Sequence, residues 1–177
     1  GRRAFVLRRG RRRAEMRPRV SCSPFSPFSR REWSAWLEAM LRAAAGPGDL
    51  PEVELLLVRD GDIAALNAAH LGCTGPTNIL SFPENGEGNR LGSLALGVDT
   101  LRRECALYGQ DPAAHARRLL AHGLAHLWGH DHGPVMDAAC AALEAAAAEA
   151  TKDAVGTTGR RKSRRSFSPR ASRHCRA

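Results

Sequence analysis

The sequence predicts an α+β domain in which a small mixed β-sheet packs against several helices. Three observations lead there. The 177 residues, 43% of them hydrophobic, suffice for one domain with a real core. Apolar residues recur at spacings of three and four in some segments, and in short β-branched or alternating runs in others. The two kinds of segment follow one another as α, β, α, β, β, α, α, α, an order that suits a small sheet covered by helices.

The first helix is announced by Ser29-Arg30-Arg31-Glu32, a capping-box pattern in which Ser29 accepts a backbone N–H and Glu32 reaches back. Trp33, Trp36, Leu37, Met40 and Leu41 then share one face, and Gly46-Pro47-Gly48 stops the helix after residue 45. The run 53–58 is apolar apart from Glu54 and β-branched at both ends, which reads as a strand buried on both faces. After an Asp60-Gly61 turn, 63–70 reads as a short helix with Asp62 as N-cap and Gly72 to end it.

Within 73–83, Ile79, Leu80 and Phe82 suggest a short strand between proline breaks, and 84–89 is a polar loop. Residues 91–98 alternate as a further strand, and Asp99 is placed to cap a helix over 100–108. Asp111-Pro112 opens a longer helix, proline being harmless in a first turn, with Leu119, Leu120, Leu124 and Leu127 as apolar positions. Pro134 opens a last helix over 135–150.

The formal charge of +9 divides unevenly. Residues 1–19 hold nine arginines against Glu15, and 159–177 add eight Lys or Arg and no acid, leaving a body with ten basic and seventeen acidic residues. The expected organisation is a basic, disordered extension over 1–28, a folded domain over 29–152 and a basic, disordered tail over 153–177. Such tails attract RNA only through sequence-blind counterion release. Met16 is the first methionine, so part of the extension is expected not to belong to the mature protein.

Cys22, Cys73, Cys105, Cys140 and Cys175 are odd in number and form no C-x-x-C pair, which argues against a disulfide framework and for a reducing compartment. No segment is long and apolar enough for a membrane span, and none follows the basic start as a secretory core. A cytoplasmic location is expected, with an organelle as the alternative if the Arg- and Ser-rich start is a transit peptide. Internal repeats, a Gly-rich phosphate loop and a nucleophile elbow are absent from the sequence, which removes the usual support for nucleotide-dependent and serine-hydrolase readings.

The segment that carries chemistry is His122-Gly-Leu-Ala-His126-Leu-Trp-Gly129-His130-Asp131-His132-Gly133. Residues four apart lie one helical turn above each other, so His122 and His126 can offer two imidazoles to one ion. A third ligand must come from another direction, and Gly129 lets the chain leave the helix in a left-handed turn before His132. Three neutral histidines leave one coordination position open, which distinguishes catalytic from structural zinc. The expected cofactor is one Zn2+ ion. His130 is expected to face solvent or to support a ligand, and His115 to be a partly buried polar residue.

The spacing H-x3-H-x2-G-x2-H is also that of metzincin proteases, whose general-base glutamate follows the first histidine. Here that position is Gly123. Without a carboxylate there, peptide hydrolysis by the usual route loses its proton acceptor.

The segment H-G-L-A-H-L-W-G-H-D-H resembles the H-G-x-L-H-L-x-G-Y-D-H signature of the YbeY family of bacterial endoribonucleases. A second stretch, Leu66 to Pro83, resembles the family's L-N-x-x-Y-R-x5-T-[DN]-V-L-S-F-P, and Leu91-Gly-Ser-Leu94 its L-G-D-I, so the likeness covers about residues 30–150. It implies a compact α+β domain and a zinc-dependent, single-strand-specific endoribonuclease of the cytoplasm. Such an enzyme acts in late rRNA processing, at the 3′ end of 16S rRNA, and in ribosome quality control. The implied partners are single-stranded RNA and the small ribosomal subunit. By position, His122, His126 and His132 become the metal ligands and catalytic centre, with Asp131 orienting a histidine or assisting proton transfer. Thr77, Asn78 and Ser81 become substrate-binding residues, and Phe82 and Pro83 part of the cleft.

The sequence departs from the family pattern at Leu71, where the family has a functionally important arginine, and at Ser93, Ala125 and His130. Arg90 or Arg59 would replace the lost cation if either lies at the cleft. Two rivals follow: a zinc hydrolase acting on a peptide or small molecule, and a non-catalytic ribosome assembly factor that keeps the fold but not the chemistry.

Overall fold

The computed structural model describes residues 18–21, 23–84 and 88–159, with side chains through Lys152. Its elements are β1 (Arg19–Ser21), α1 (Arg30–Ala45), β2 (Glu52–Val58), α2 (Asp60–Leu71), β3 (Ile79–Pro83), β4 (Arg90–Gly97), α3 (Val98–Tyr108), α4 (Pro112–Leu127) and α5 (Pro134–Gly159). The strands form one mixed sheet in the order β1-β2-β4-β3. β1, β2 and β4 run parallel, and β3 pairs antiparallel to β4 along Ile79↔Leu96 to Pro83↔Gly92. The α+β fold expected from the sequence is therefore present.

The core lies mainly on one face of the sheet. Val53, Leu55 and Leu57 of β2, with Leu94 and Leu96 of β4, pack there against Leu37 and Leu41 of α1 and Leu120 and Leu124 of α4. A smaller cluster of Ile63, Leu80 and Ala95, flanked by Val58, Leu66 and Phe82, seats α2 on the opposite face. β2 is accordingly not equally buried on both sides: Val53, Leu55 and Leu57 are buried, while Leu56 and Val58 are half-buried. Trp33 and Trp36 meet Phe28 edge-on, and their indole N–H groups donate to Ser26 at 2.8 Å and Thr151 at 2.9 Å. That satisfies the polar ends of two buried rings and ties α1 to α5.

Four local differences from the sequence expectation have physical causes. β1 lies inside the stretch assigned to the N-terminal extension; its single buried side chain, Val20, stands between Arg19 and Ser21, too short a pattern to announce a strand. Helix α2 starts at Asp60 rather than Ile63 because its cap is not local: the Asp99 carboxylate accepts from the Asp60 N–H at 3.2 Å. Asp99 is thus withdrawn from its own helix, and α3 has no side-chain cap. Finally, α5 runs to Gly159, nine residues past its expected end. The arginine-rich residues 1–17 and the tail from 160 lie outside the described residues. Of the cysteines, Cys73, Cys105 and Cys140 are free thiols. Among the described residues no helix is long and apolar enough to cross a membrane.

Candidate metal centre

The site is built on the C-terminal half of α4. Asp111 caps this helix by accepting the Ala114 N–H at 2.7 Å, and Pro112 opens it. Four residues of helical spacing then set His122 above His126. The helix ends in a Schellman motif around Gly129 (φ 78°): the His130 N–H donates to the Ala125 carbonyl at 3.1 Å and the Gly129 N–H to that of His126 at 2.9 Å. This reversal brings the His132 ring back against those of His122 and His126.

The result is a triangle of imidazoles. The ring centroids of His122, His126 and His132 stand 4.7, 4.9 and 5.3 Å apart. One ring nitrogen from each lies within 4.8 Å of the others. Two nitrogens bound tetrahedrally to zinc at roughly 2.0–2.1 Å would be about 3.3 Å apart; the Nε2 atoms of His122 and His126 are separated by 3.2 Å. Burial, reinforced by the adjacent His126 and His132, lowers the His122 pKa below its ordinary value. That shift favours the neutral ring, the form whose lone pair takes a metal. Donor type, number and spacing all fit one zinc-like ion.

Gly129→Ala tests the turn. An added Cβ meets no atom within 4 Å, so the cost is conformational, about 1–2 kcal/mol for a left-handed alanine. Relief of that strain would move His132. Zinc affinity, followed by competition with a chelating dye, is expected to fall well beyond what the loss of stability alone predicts; an unchanged affinity would show that the turn does not set the third ligand.

Gly123 owes its place to packing. A Cβ there would lie 2.7 Å from Ile79 Cδ1 and 2.9 Å from Leu94 Cδ2, so this face of α4 presses on β3 and β4 rather than on the imidazoles. Ser81 holds the same contact from the strand, its hydroxyl donating to the Gly123 carbonyl at 3.0 Å. A general-base carboxylate at position 123 would point into the sheet.

Beside His122 and His126 opens a cleft of about 620 Å³ that wraps around the edge strand β3. Its volume falls within the roughly 300–1,000 Å³ of small-molecule sites. His70 and Leu71 at the end of α2 form one wall, and Ser81, Phe82 and Pro83 continue it. Ser81 lines the cleft, with its hydroxyl proton committed to the Gly123 carbonyl. Thr77 and Asn78 do not line this cleft. The Asn78 amide donates to Glu104 at 3.2 Å, its side-chain oxygen accepts the Ile79 N–H at 2.8 Å, and its own carbonyl accepts the Gly97 N–H at 2.9 Å. Glu104 also meets buried His115 at 2.6 Å. Asn78 and His115 therefore fasten β3, α3 and α4 together.

Asp131 is exposed in the turn next to His132. The His130 ring lines a separate apolar groove with Trp128 and Leu143. Neither arginine takes the place of a cation at Leu71. Arg59 donates to Asp99 at 2.9 Å and stacks over Phe25, and its guanidinium holds the Asp99 carboxyl below the usual range. Arg90 is paired with Glu84 at 2.8 Å and Glu54 at 3.3 Å. No arginine or lysine lines the cleft among the described residues.

Residues 24–151 match the family model described as Endoribonuclease YbeY. The chain belongs to the YbeY endoribonuclease family. It is 47% identical over 144 residues to the endoribonuclease YbeY of Nitratidesulfovibrio vulgaris, covering 70% of this chain and 85% of that protein. With the protein of the same name from Oleidesulfovibrio alaskensis it shares 43% over 134 residues, 63% of this chain and 78% of the relative. In fold it is similar to a solution structure from Thermotoga maritima, with a TM-score of 0.54, 16% identity, and coverage of 85% of this chain and 99% of the other. His70 is the cleft residue that sequence reasoning passes over. Its signal was available: it sits beside Leu71, at the tyrosine position of the family motif.

Proposed function

We propose that this protein is a metal-dependent endoribonuclease that cleaves single-stranded RNA in late rRNA processing, at the 3′ end of 16S rRNA, and serves ribosome quality control. The observation that carries the reading is the three-imidazole centre opening on a cleft in a member of an endoribonuclease family. His122, His126 and His132 would hold one zinc ion, which when bound supplies a Lewis acid for a phosphate oxygen or a water. The chain's own residues do the rest. Ser81 and the close packing at Gly123 fix the height of α4 against β3, and so aim the two helical ligands along the cleft. Asp131, exposed one residue before His132, would orient that ligand or carry a proton. With Arg59 and Arg90 paired elsewhere, positive charge at a scissile phosphate would come from the ion that the three histidines hold.

The substrate is RNA on this reading, the partner the small ribosomal subunit, and the compartment the cytoplasm. Gly123 argues against peptide hydrolysis, since the position that would carry the base is filled by the sheet. The metal-loaded full chain should cleave single-stranded RNA bearing the small-subunit 3′ end and leave unstructured peptides intact. Peptide hydrolysis without RNA cleavage would favour the hydrolase rival, and tight subunit binding without turnover the assembly-factor rival.

A further inference from the structure

The cleft next to the metal centre is walled by rings and aliphatic groups rather than by cations. His70 is exposed and stands edge-on to Phe82, with ring centroids 4.8 Å apart. Leu71 beside it is 63% exposed, an apolar side chain left uncovered at the mouth of a site. Both belong to the cleft that His122 and His126 line from the opposite side of β3. The folded body is acidic, with ten basic against seventeen acidic residues over 20–158. A phosphate backbone therefore gains little from this wall, whereas the face of an unstacked base gains apolar and ring contact.

We propose that the His70–Leu71–Phe82 wall is a nucleobase subsite, which stacks one base of single-stranded RNA next to the phosphate held at the three histidines. This rests on the ribonuclease reading above and deepens it. The edge-on pair leaves the His70 ring free to lie against a base while Phe82, half-buried against the α2 cluster, holds the imidazole in place. Leu71 covers the edge of the stacked base and excludes water, a task that an arginine at the same position would exchange for backbone attraction. In this chain, recognition next to the cut thus shifts from phosphate towards base.

The test compares two cleavage-resistant phosphorothioate oligoribonucleotides, one with all its bases and one with abasic riboses, binding to the metal-loaded full chain by fluorescence anisotropy. Attraction by the basic tails is blind to bases, so it cancels in the ratio of the two affinities. The wild-type protein is expected to prefer the base-bearing strand. His70→Ala should weaken that strand alone, by about five- to 150-fold, the range of a base–aromatic stack. His70→Phe should retain the preference, Phe82→Leu should reduce it at nearly constant packing volume, and Leu71→Arg should tighten both strands alike. Equal effects of His70→Ala on the two strands, or none on either, would overturn the subsite. Wild-type protein that cleaves RNA while His70→Ala is indifferent refutes the subsite alone; wild-type protein that neither binds nor cleaves RNA refutes the ribonuclease reading with it. Thermal midpoints identify a Phe82→Leu protein that has merely lost its fold, and exposed His70 keeps the test decisive in that case.

Discussion

His126→Ala is expected to abolish both metal binding and RNA cleavage while leaving the fold intact. His126 is the middle of the triangle, with ring centroids 4.7 Å from His122 and 4.9 Å from His132. Its loss leaves two imidazoles, one on the helix and one on the turn, without the i, i+4 pair that pre-forms the clamp. Loss of a residue that merely supports a ligand typically costs 10–100-fold in metal affinity, so loss of a ligand should exceed about a hundredfold. The stability cost is small by comparison, because the half-buried ring faces the cleft and not the core. Metal content by elemental analysis, circular dichroism and cleavage of single-stranded RNA read the three outcomes separately. Cleavage retained by a metal-free variant would refute the metal mechanism.

Gly123→Glu, which puts a carboxylate at the sequence position of the metzincin base, is expected to destabilise the protein strongly rather than to create a peptidase. The new Cβ would fall 2.7 and 2.9 Å from Ile79 and Leu94, and the carboxylate beyond it would enter the contact between α4 and the sheet. Overpacking costs about 1–3 kcal/mol. An unpaired buried charge adds about 3–5 kcal/mol. A total of roughly 4 kcal/mol or more is a large part of the roughly 5–15 kcal/mol that holds a domain together. Thermal unfolding should show a midpoint lower by about 10 °C or more. Gly123→Ala is the control: its helix-propensity gain of about 1 kcal/mol offsets part of the strain, and the atoms it meets are ends of side chains that can rotate. A Gly123→Glu protein as stable as wild type would mean that α4 does not press on β3 and β4 here.

The centre was legible because its determinants are local. An i, i+4 histidine pair and a glycine able to take a positive φ are properties of a dozen consecutive residues, and the triangle follows from them. The capping box at Ser29–Glu32 and the aspartate cap of α4 were legible for the same reason. What the sequence concealed are partnerships across the chain. Asp99 reads as the cap of its own helix, yet it caps α2 and pairs with Arg59, forty residues earlier. Asn78 reads as a cleft residue from its motif, yet its amide is turned to Glu104. Arg59 and Arg90 read as spare cations until their carboxylates appear. β1 depends on one valine with a partner register on β2, which no local pattern encodes. The length of α5 was hidden by alanine, which favours helix without marking a face.

The most direct measurement is cleavage of single-stranded RNA carrying the small-subunit 3′ end by metal-quantified protein, with chelator and after zinc is restored. One bound ion, cleavage lost on chelation and recovered with zinc, and no such cycle in the His126→Ala protein are the predicted results. Cleavage indifferent to the chelator, or a fully loaded protein that leaves the RNA intact, would contradict the account.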